Sequence, residues 1–426
     1  MLHMLDLAML RAHPEEITRG LQGKGIVVDI PHLLALDAQK RVLQSRVEGV
    51  AAQKHAASAD VAAATGADRI ARIEQLRALD ASSAHDREEL QKITEELRQL
   101  LWSLPNLPAP DVRVGKDETE NEIIRSWGEV PVFPFTPKAS WELAPVVGAF
   151  DTDRAAKVSG SRFGYLTGPG VLLEFALIRY ALRTLTAAGF TPIVPPVLVS
   201  ATAMEAMGYT IHGGREETYY LERDDAYLVG TAEQAIGPMH RDEVLEEENL
   251  PKRYLAFSTC FRREAGSYGK DTKGIFRVHQ FDKLEMFSFT TPEQSDGEHE
   301  RFLHWEEELL QGLRLPYQVV KMCTGDLGIP AARKFDLEAW FPSERRYREL
   351  TSTSTCTDWQ ARRLHIRYRP TNGETPRFVH MLNGTAFAIG RTICALLEHG
   401  QQSDGSVVVP EILEKDVGTD VIPRVA

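Results

Sequence analysis

From Pro31 onward, apolar or long-stemmed side chains fall at Leu33, Leu36, Lys40, Leu43, Val47, Val50, Lys54, Ala57 and Val61. The steps alternate three and four, which is the seam spacing of a coiled coil. Pro31 suits a helix start, because its missing N–H has no intrahelical acceptor there. The stretch from Ala62 to Asp68 offers Gly66 as a breaker. A second run at Leu90, Ile93, Leu97, Leu100 and Leu104 stops at Pro105, with Pro108 and Pro110 close behind. The pattern predicts two long helices packed antiparallel as an arm over about 31–104, projecting on the order of 45–50 Å. Two helices of an ordinary bundle would show the same period. Asp80, Ser83 and Asp86 make a poor seam, and the arm is expected to loosen there.

The remainder of the chain has a different rhythm. Residues 111–170 are rich in Gly, Pro and charge and read as connecting structure. A helical run over Leu172–Ala188 is then followed by β-branched or aromatic runs at Thr191–Val199, Tyr254–Phe261 and Phe276–Phe289. Without regular βαβ spacing, these favour an α+β chain whose sheet is mixed and mostly antiparallel, flanked by helices. Neither GxGxxG nor GxxxxGK[ST] is present, so the common phosphate loops are missing.

Composition narrows the class. Of 426 residues, 43% are hydrophobic and 26% charged, which fits a folded globular chain and excludes disorder or a disulfide framework. A net charge of −12 argues against coating nucleic acid by bulk charge. Cys260, Cys323, Cys356 and Cys394 are dispersed, with no CxxC, so no zinc is expected and a reducing compartment is. The N-terminal stretch carries Asp6 among its apolar residues and lacks a basic region. No leader and no membrane span are expected, and the cytoplasm is the expected location.

Two windows run against the global charge. Lys252–Lys283 holds eight Lys/Arg against three Asp/Glu, and Arg345–Arg369 seven against two. Arginine-dense strands suit a polyanion such as a nucleoside triphosphate, and a solvated edge strand would carry similar charges. Within the first window, Phe261-Arg262-Arg263-Glu264, a loop over Ala265–Gly274 and the run from Phe276 to Glu285 read as strand, loop and strand. Alternation puts Arg262 and Glu264 on one face, one to grip phosphate and the other to accept from an exocyclic amine. A phenylalanine on the return strand offers a stacking surface. Asn383 to Thr392 is a small-residue passage from strand to helix, with Arg391 placed for a base or a phosphate.

In order and jointly, these blocks resemble the three motifs of class II aminoacyl-tRNA synthetases, and within that class the seryl-tRNA synthetase family. Gly189–Pro196 is similar to motif 1, Phe261–Glu285 to motif 2 and Asn383–Glu398 to motif 3. Thr231-Ala232-Glu233, the run Ala265–Phe287 and Glu349-Leu350-Thr351-Ser352 leading into Asp358–Arg363 carry the serine-specific likeness. The resemblance covers nearly the whole chain. It implies an N-terminal tRNA-binding domain over 1–110 that contains the coiled-coil arm, and a class II catalytic domain over 111–426. It also implies ATP-dependent activation of L-serine and its transfer to tRNA(Ser). Whether tRNA(Sec) is a second substrate depends on the host having one.

The site residues follow from the same resemblance. Thr231, Ala232, Glu233, Glu285, Asn383 and Thr385 would form the serine pocket. Arg262 would hold the α-phosphate, Glu264 the adenine amine, and Phe281 with Arg391 would enclose adenine; Arg263, Val278, Leu350 and Thr351 complete the ATP site. Arg262, Glu264 and Arg391 are the catalytic set. Glu349 and Ser352 would carry Mg2+ beneath the triphosphate. The family dimerises through motif 1, and its arm reads the shape of the tRNA long variable arm. Three departures stand out, one of them the run Gln234–His240 after Glu233. Thr355 occupies a position where the family usually has Asn, and Ile211–Glu217 looks like an insertion whose His212 reads as surface loop rather than ligand. Other readings are a paralogue loading a carrier protein, and a non-catalytic tRNA-binding protein on the same scaffold. The first is disfavoured by the arm and the lack of a cysteine ligand set, the second by the presence of Arg262, Glu264, Glu349 and Arg391.

Overall fold

The computed structural model describes residues 7–212, 214–265 and 271–425, with backbone alone at 59, 60, 62 and 63. Part of the Ala265–Gly274 loop, and one residue of Ile211–Glu217, lie outside the described residues. The chain divides into two compact units, residues 1–105 and 106–426.

The first unit is helical: α1 Leu7–Ala12, α2 Pro14–Gly23, α3 Ile30–Ala63, α4 Gly66–Ser82 and α5 Ala84–Ser103. The 34 residues of α3 extend about 50 Å at 1.5 Å per residue. Every seam position of α3 turns inward, fully buried at Leu33, Leu36, Lys40 and Leu43 and half-buried from Val47 to Val61. The returning limb is broken at Ser83, between α4 and α5. The poor seam there is filled by polar groups instead of opening. Ser83 and Asp86 are buried, Arg46 pairs with Asp86 at 2.8 Å, and Lys54 pairs with Asp80 at 2.6 Å. With His32–Glu96 at 3.2 Å, these pairs mark an antiparallel register along the hairpin. Loosening shows further out, since α4 buries none of its residues.

The second unit is built on an eight-stranded sheet: β1 Glu122–Trp127, β2 Thr191–Ile193, β3 Lys252–Phe261, β4 Gln280–Thr290, β5 Tyr317–Lys321, β6 Arg333–Phe341, β7 Arg346–Thr355 and β8 His380–Ala388. Their order across the sheet is β1-β5-β6-β7-β8-β4-β3-β2. All neighbours are antiparallel except β2 and β3, which run parallel. The α+β architecture and the mostly antiparallel sheet expected from the sequence are therefore present. One face packs against α6 Pro169–Ala187, α8 Ser295–Gly312 and α9 Ile389–Gly400 around a large apolar core that includes Leu177, Phe302, Leu309, Leu337, Phe387 and Ile393. The other face is polar and carries the site.

Three segment boundaries differ from the sequence expectation. Residues 111–170 are not mere connection: β1 is an edge strand, and helices Ser140–Val147 and Thr152–Ser159 follow it. β1 is exposed along most of its length, which explains its lack of an apolar alternation. The run Thr191–Val199 splits into β2 and a separate strand Leu198–Ser200 around Pro195 and Pro196. The return strand begins at Gln280 rather than Phe276. Among the described residues no helix is long and apolar enough to cross a membrane.

Candidate active site

Strand alternation builds most of the polar face. On β4, Phe281, Lys283 and Glu285 point the same way by the period of two. Asn383 and Thr385 do so on β8, and Lys334 and Asp336 on β6. Two β-bulges extend the set beyond simple alternation. On β7 the register against β6 shifts between Glu349 and Thr351, so Leu350 is the extra residue. Glu349 and Ser352, three apart, then face the same side. On β8 the register against β4 shifts between Thr385 and Phe387, and Thr385 and Ala388 come onto one side in the same way.

Two cavities open on this face. The smaller, about 220 Å³, is lined by Phe276, Phe281, Val278, Glu349, Thr385 and Arg391 among others. The larger, about 590 Å³, is lined by Thr231, Glu233, Glu285, Ser354 and Asn383 with the 208–218 segment. They share a wall: Arg262, Glu264, Arg277, Lys283, Lys334 and Ser352 line both. Arg262 follows the end of β3; its Nε donates to the Gly230 carbonyl at 3.0 Å, and its guanidinium lies 5.3 Å from the centre of the Phe281 ring. Glu264 has a left-handed backbone, φ +54°, so it reaches this wall by a turn and not by strand alternation. It accepts from Arg277 Nη1 at 2.7 Å. Arg391, in the first turn of α9, pairs with Glu349 Oε2 at 3.1 Å and stands 5.0 Å over the Phe276 ring.

The floor is rich in buried acid. Glu233, at the start of α7 Glu233–Ile236, has an Oε2 with no hydrogen-bond partner. Burial, with Glu285 nearby, raises Glu233 to about 8. Burial also raises Glu285, against the pull of Lys283 and Arg262. Beneath them Glu306 of α8 is wholly buried, and that burial pushes its carboxyl well above the usual carboxylate range. Thr351 Oγ1 donates to its Oε2 at 3.0 Å. Glu349 has the opposite character. Burial works against its charge, but Arg391 and Lys334 outweigh it and hold the carboxyl at about 2, while 42% of its side chain opens on the cavity. Burial likewise opposes the charge of Lys334, and Asp336, paired at 3.1 Å, keeps it protonated.

Most residues singled out from the sequence gather at these cavities. Three do not line them. Ala232 is buried behind α7; Arg263 turns away to donate from Nε to the Thr218 carbonyl at 3.0 Å; Thr351 faces α8. Leu350 reaches the smaller cavity while its side chain belongs to the core. Thr355 also faces away, with its Oγ1 3.4 Å from Ser295 Oγ, so the departure from Asn does not alter the cavity wall. His212 does line the larger cavity, and among the described residues no His/Cys/Asp/Glu group of three is arranged for a metal. Sequence reasoning passed over Lys283, Arg277, Phe276 and Lys334. The first three lie inside the motif 2 block, where their charge or ring was the available signal. Lys334 sits on an ordinary strand with no local motif.

A mostly antiparallel sheet bearing a bipartite polar cleft, with Arg262 on the shared wall and Arg391 in the smaller cavity, is the arrangement of a class II tRNA synthetase core, and residues 218–400 match the family model for the tRNA synthetase class II core domain (G, H, P, S and T). Residues 4–108 match the seryl-tRNA synthetase N-terminal domain. The chain is 46% identical to the serine–tRNA ligase of Thermobifida fusca, over 99% of this chain and 100% of that one. It is also 46% identical to that of Acidothermus cellulolyticus, over 98% and 99%. The crystal structure of seryl-tRNA synthetase from Pyrococcus horikoshii complexed with ATP superposes with a TM-score of 0.92 at 39% identity, covering 99% of this chain and 100% of that one. The chain belongs to the seryl-tRNA synthetase family.

Proposed function

We propose that the protein activates L-serine with ATP and transfers it to tRNA(Ser), acting as a cytoplasmic homodimer. The observation that carries this reading is the shared wall of the two cavities, which lets a nucleotide in the smaller meet an amino acid in the larger. Adenine lies between Phe281 and Arg391 with its amine toward Glu264. The α-phosphate meets Arg262 at the shared wall. Serine enters the larger cavity with its ammonium and hydroxyl toward Thr231, Glu233, Glu285, Asn383 and Thr385. Its carboxylate, already ionised, attacks the α-phosphorus in line and expels pyrophosphate. Such a step needs positioning and charge neutralisation more than a base, and Arg262 and Lys334 concentrate positive charge there.

An ionised Glu349 beside Ser352 fits Mg2+, which takes one or two carboxylates and completes its shell with substrate phosphates and water. When bound it would neutralise triphosphate charge and orient the leaving group. Exposed Leu172 and Phe175 on α6, Val194 in the motif 1 segment and Leu198 just after it support the homodimer. The near-neutral arm, with ten basic and eleven acidic residues between Pro31 and Leu104, is read as a shape-reading tRNA contact. tRNA(Sec) remains a substrate only where the host makes it.

The test is transfer of labelled serine to unfractionated tRNA with ATP and magnesium. Acid-precipitable, alkali-labile label is the expected result. Serine-dependent ATP–pyrophosphate exchange without transfer would favour a carrier-loading paralogue, and silence in both assays would overturn the reading.

A further inference from the structure

We infer that Lys283 is a positioning residue: it holds Glu285 as the charged member of the two buried serine-site carboxyls and turns the Thr231 hydroxyl toward the substrate. This rests on the reading of Thr231, Glu233 and Glu285 as the serine pocket. Lys283 stands two residues before Glu285 on β4, so both side chains leave the same face of the strand. Its side chain is 10% exposed; its Nζ is in ion-pair contact with Glu285 Oε2 and donates to Thr231 Oγ1 at 3.1 Å.

Each contact has a chemical consequence. A hydroxyl has one donor and two lone pairs. With one lone pair occupied by Lys283, the Thr231 proton and the other lone pair are left for a ligand. On Glu285, Lys283 and the Thr385 hydroxyl at 3.5 Å both fall on Oε2. With both contacts on one oxygen, the other is the one assigned to accept from serine. Glu233 is the second carboxyl, and its Oε2 has no partner. Two buried carboxyls served by one contacting lysine cannot both stay charged cheaply. The lysine touches Glu285, so the charge sits there and the proton on Glu233.

The surrounding charges agree with that division. Facing Glu285 are Lys283 from its own strand, Arg262 beyond β3, Glu233 from α7, Glu306 from α8 and Thr385 from β8. Lys334 and Asp336 of β6 face Glu233 and Glu306 respectively. Arg262 is held by the Gly230 carbonyl and the Phe281 ring, and Lys334 by Asp336. Lys283 is therefore the cation that touches Glu285.

The experiment is serine-dependent ATP–pyrophosphate exchange by the full-length chain, wild type against Lys283→Met and Lys283→Arg, from pH 6 to 9.5. Lys283→Met is expected to raise KM for serine by roughly 30- to 100-fold near neutral pH, the scale of a lost charge-assisted contact. KM for ATP should change by less than about threefold. The acidic limb of kcat/KM for serine should move up by about one pH unit or more, because Glu285 then keeps its proton. Lys283→Arg should return the limb toward wild type. An unchanged KM for serine, a loss of equal size at every pH, or a loss falling on ATP would overturn the inference. Absence of serine-dependent exchange in the wild type would instead overturn the functional reading. Should Lys283→Met fail to fold by circular dichroism, calorimetry of serine binding to the wild type in two buffers at pH 7 decides. About one proton released, from Glu233, supports the assignment; two protons, or none, overturns it.

Discussion

Glu233 shows what a binding group costs before its ligand arrives. It is buried, one of its oxygens has no partner, and its pKa is raised from about 4.5 to about 8 by burial and by Glu285. The folded state therefore holds a proton that the unfolded chain releases near pH 4.5. The sign is fixed by that difference: the stability associated with the protonated form is complete below pH 4.5 and is lost as pH rises toward about 8. Glu233→Gln keeps the shape and removes the titration. In serine-free protein we expect its melting temperature to match wild type near pH 5 and to exceed it by a few degrees at pH 8.5, since ~1 kcal/mol moves Tm by roughly 1.5 °C in a unit of this size. Differential scanning calorimetry at the two pH values checks this, and an equal offset at both would show that ionisation is not the cause. The same substitution should weaken serine binding, because a neutral amide replaces a carboxyl able to ionise against the substrate ammonium.

At the scale of elements, the site is a consequence of which face each strand residue takes, and the bulges decide the cases that alternation gets wrong. Phe281, Lys283 and Glu285 obey the period of two and could be grouped from sequence. Glu349 and Ser352 could not, because an odd spacing reads as opposite faces until Leu350 is known to be the bulged residue. Arg262 and Glu264 were grouped correctly for an insufficient reason: they meet through a left-handed turn at Glu264 beyond the strand end. Lys334 was invisible because its importance comes from β7 lying beside β6, a pairing between distant segments that leaves no local pattern. The same alternation settles Thr355, which points to Ser295 on the helix side of the sheet. Thr355→Asn should leave KM for serine and for ATP within about twofold. Its cost should fall on stability, at roughly 1–2 kcal/mol, since a larger amide must fit a buried site filled by a hydroxyl. Pyrophosphate exchange with urea denaturation separates the two, and a serine-specific change in KM would place Thr355 back in the pocket.

For the whole molecule, the proposed function divides chemistry and recognition between two units with different physics. The catalytic unit concentrates charge: two arginine-rich windows within an acidic chain build the cleft. The arm does the reverse. Its seam is legible from residue 33 to residue 61 because a helical hairpin is held by local repeats, and its polar stretch is legible too, although not its solution. Arg46–Asp86 and Lys54–Asp80 are cross-helix pairs, and single residues do not reveal partners 40 or 26 positions away. With charges this balanced and this occupied with one another, the arm offers little net field for phosphates, which is why the contact proposed for it is one of shape. His32 lies against Glu96 at 3.2 Å, which places the two limbs side by side near the base of the hairpin. The two limbs therefore run close together where Ala35 and Arg98 flank the deletion, and the gap left by excising Ala35–Arg98, Glu96 included, can be closed with a short Gly/Ser linker. We expect serine-dependent pyrophosphate exchange to stay within about threefold of wild type, and KM for tRNA(Ser) to rise by roughly 100-fold or more, the equivalent of about 2.7 kcal/mol of lost contact. Adding salt should weaken the residual tRNA affinity about as steeply as in the wild type, because an arm that reads shape contributes few counterion-releasing contacts. Unchanged charging by the truncated protein would remove the arm from tRNA recognition, and a much shallower salt slope would make its role electrostatic after all.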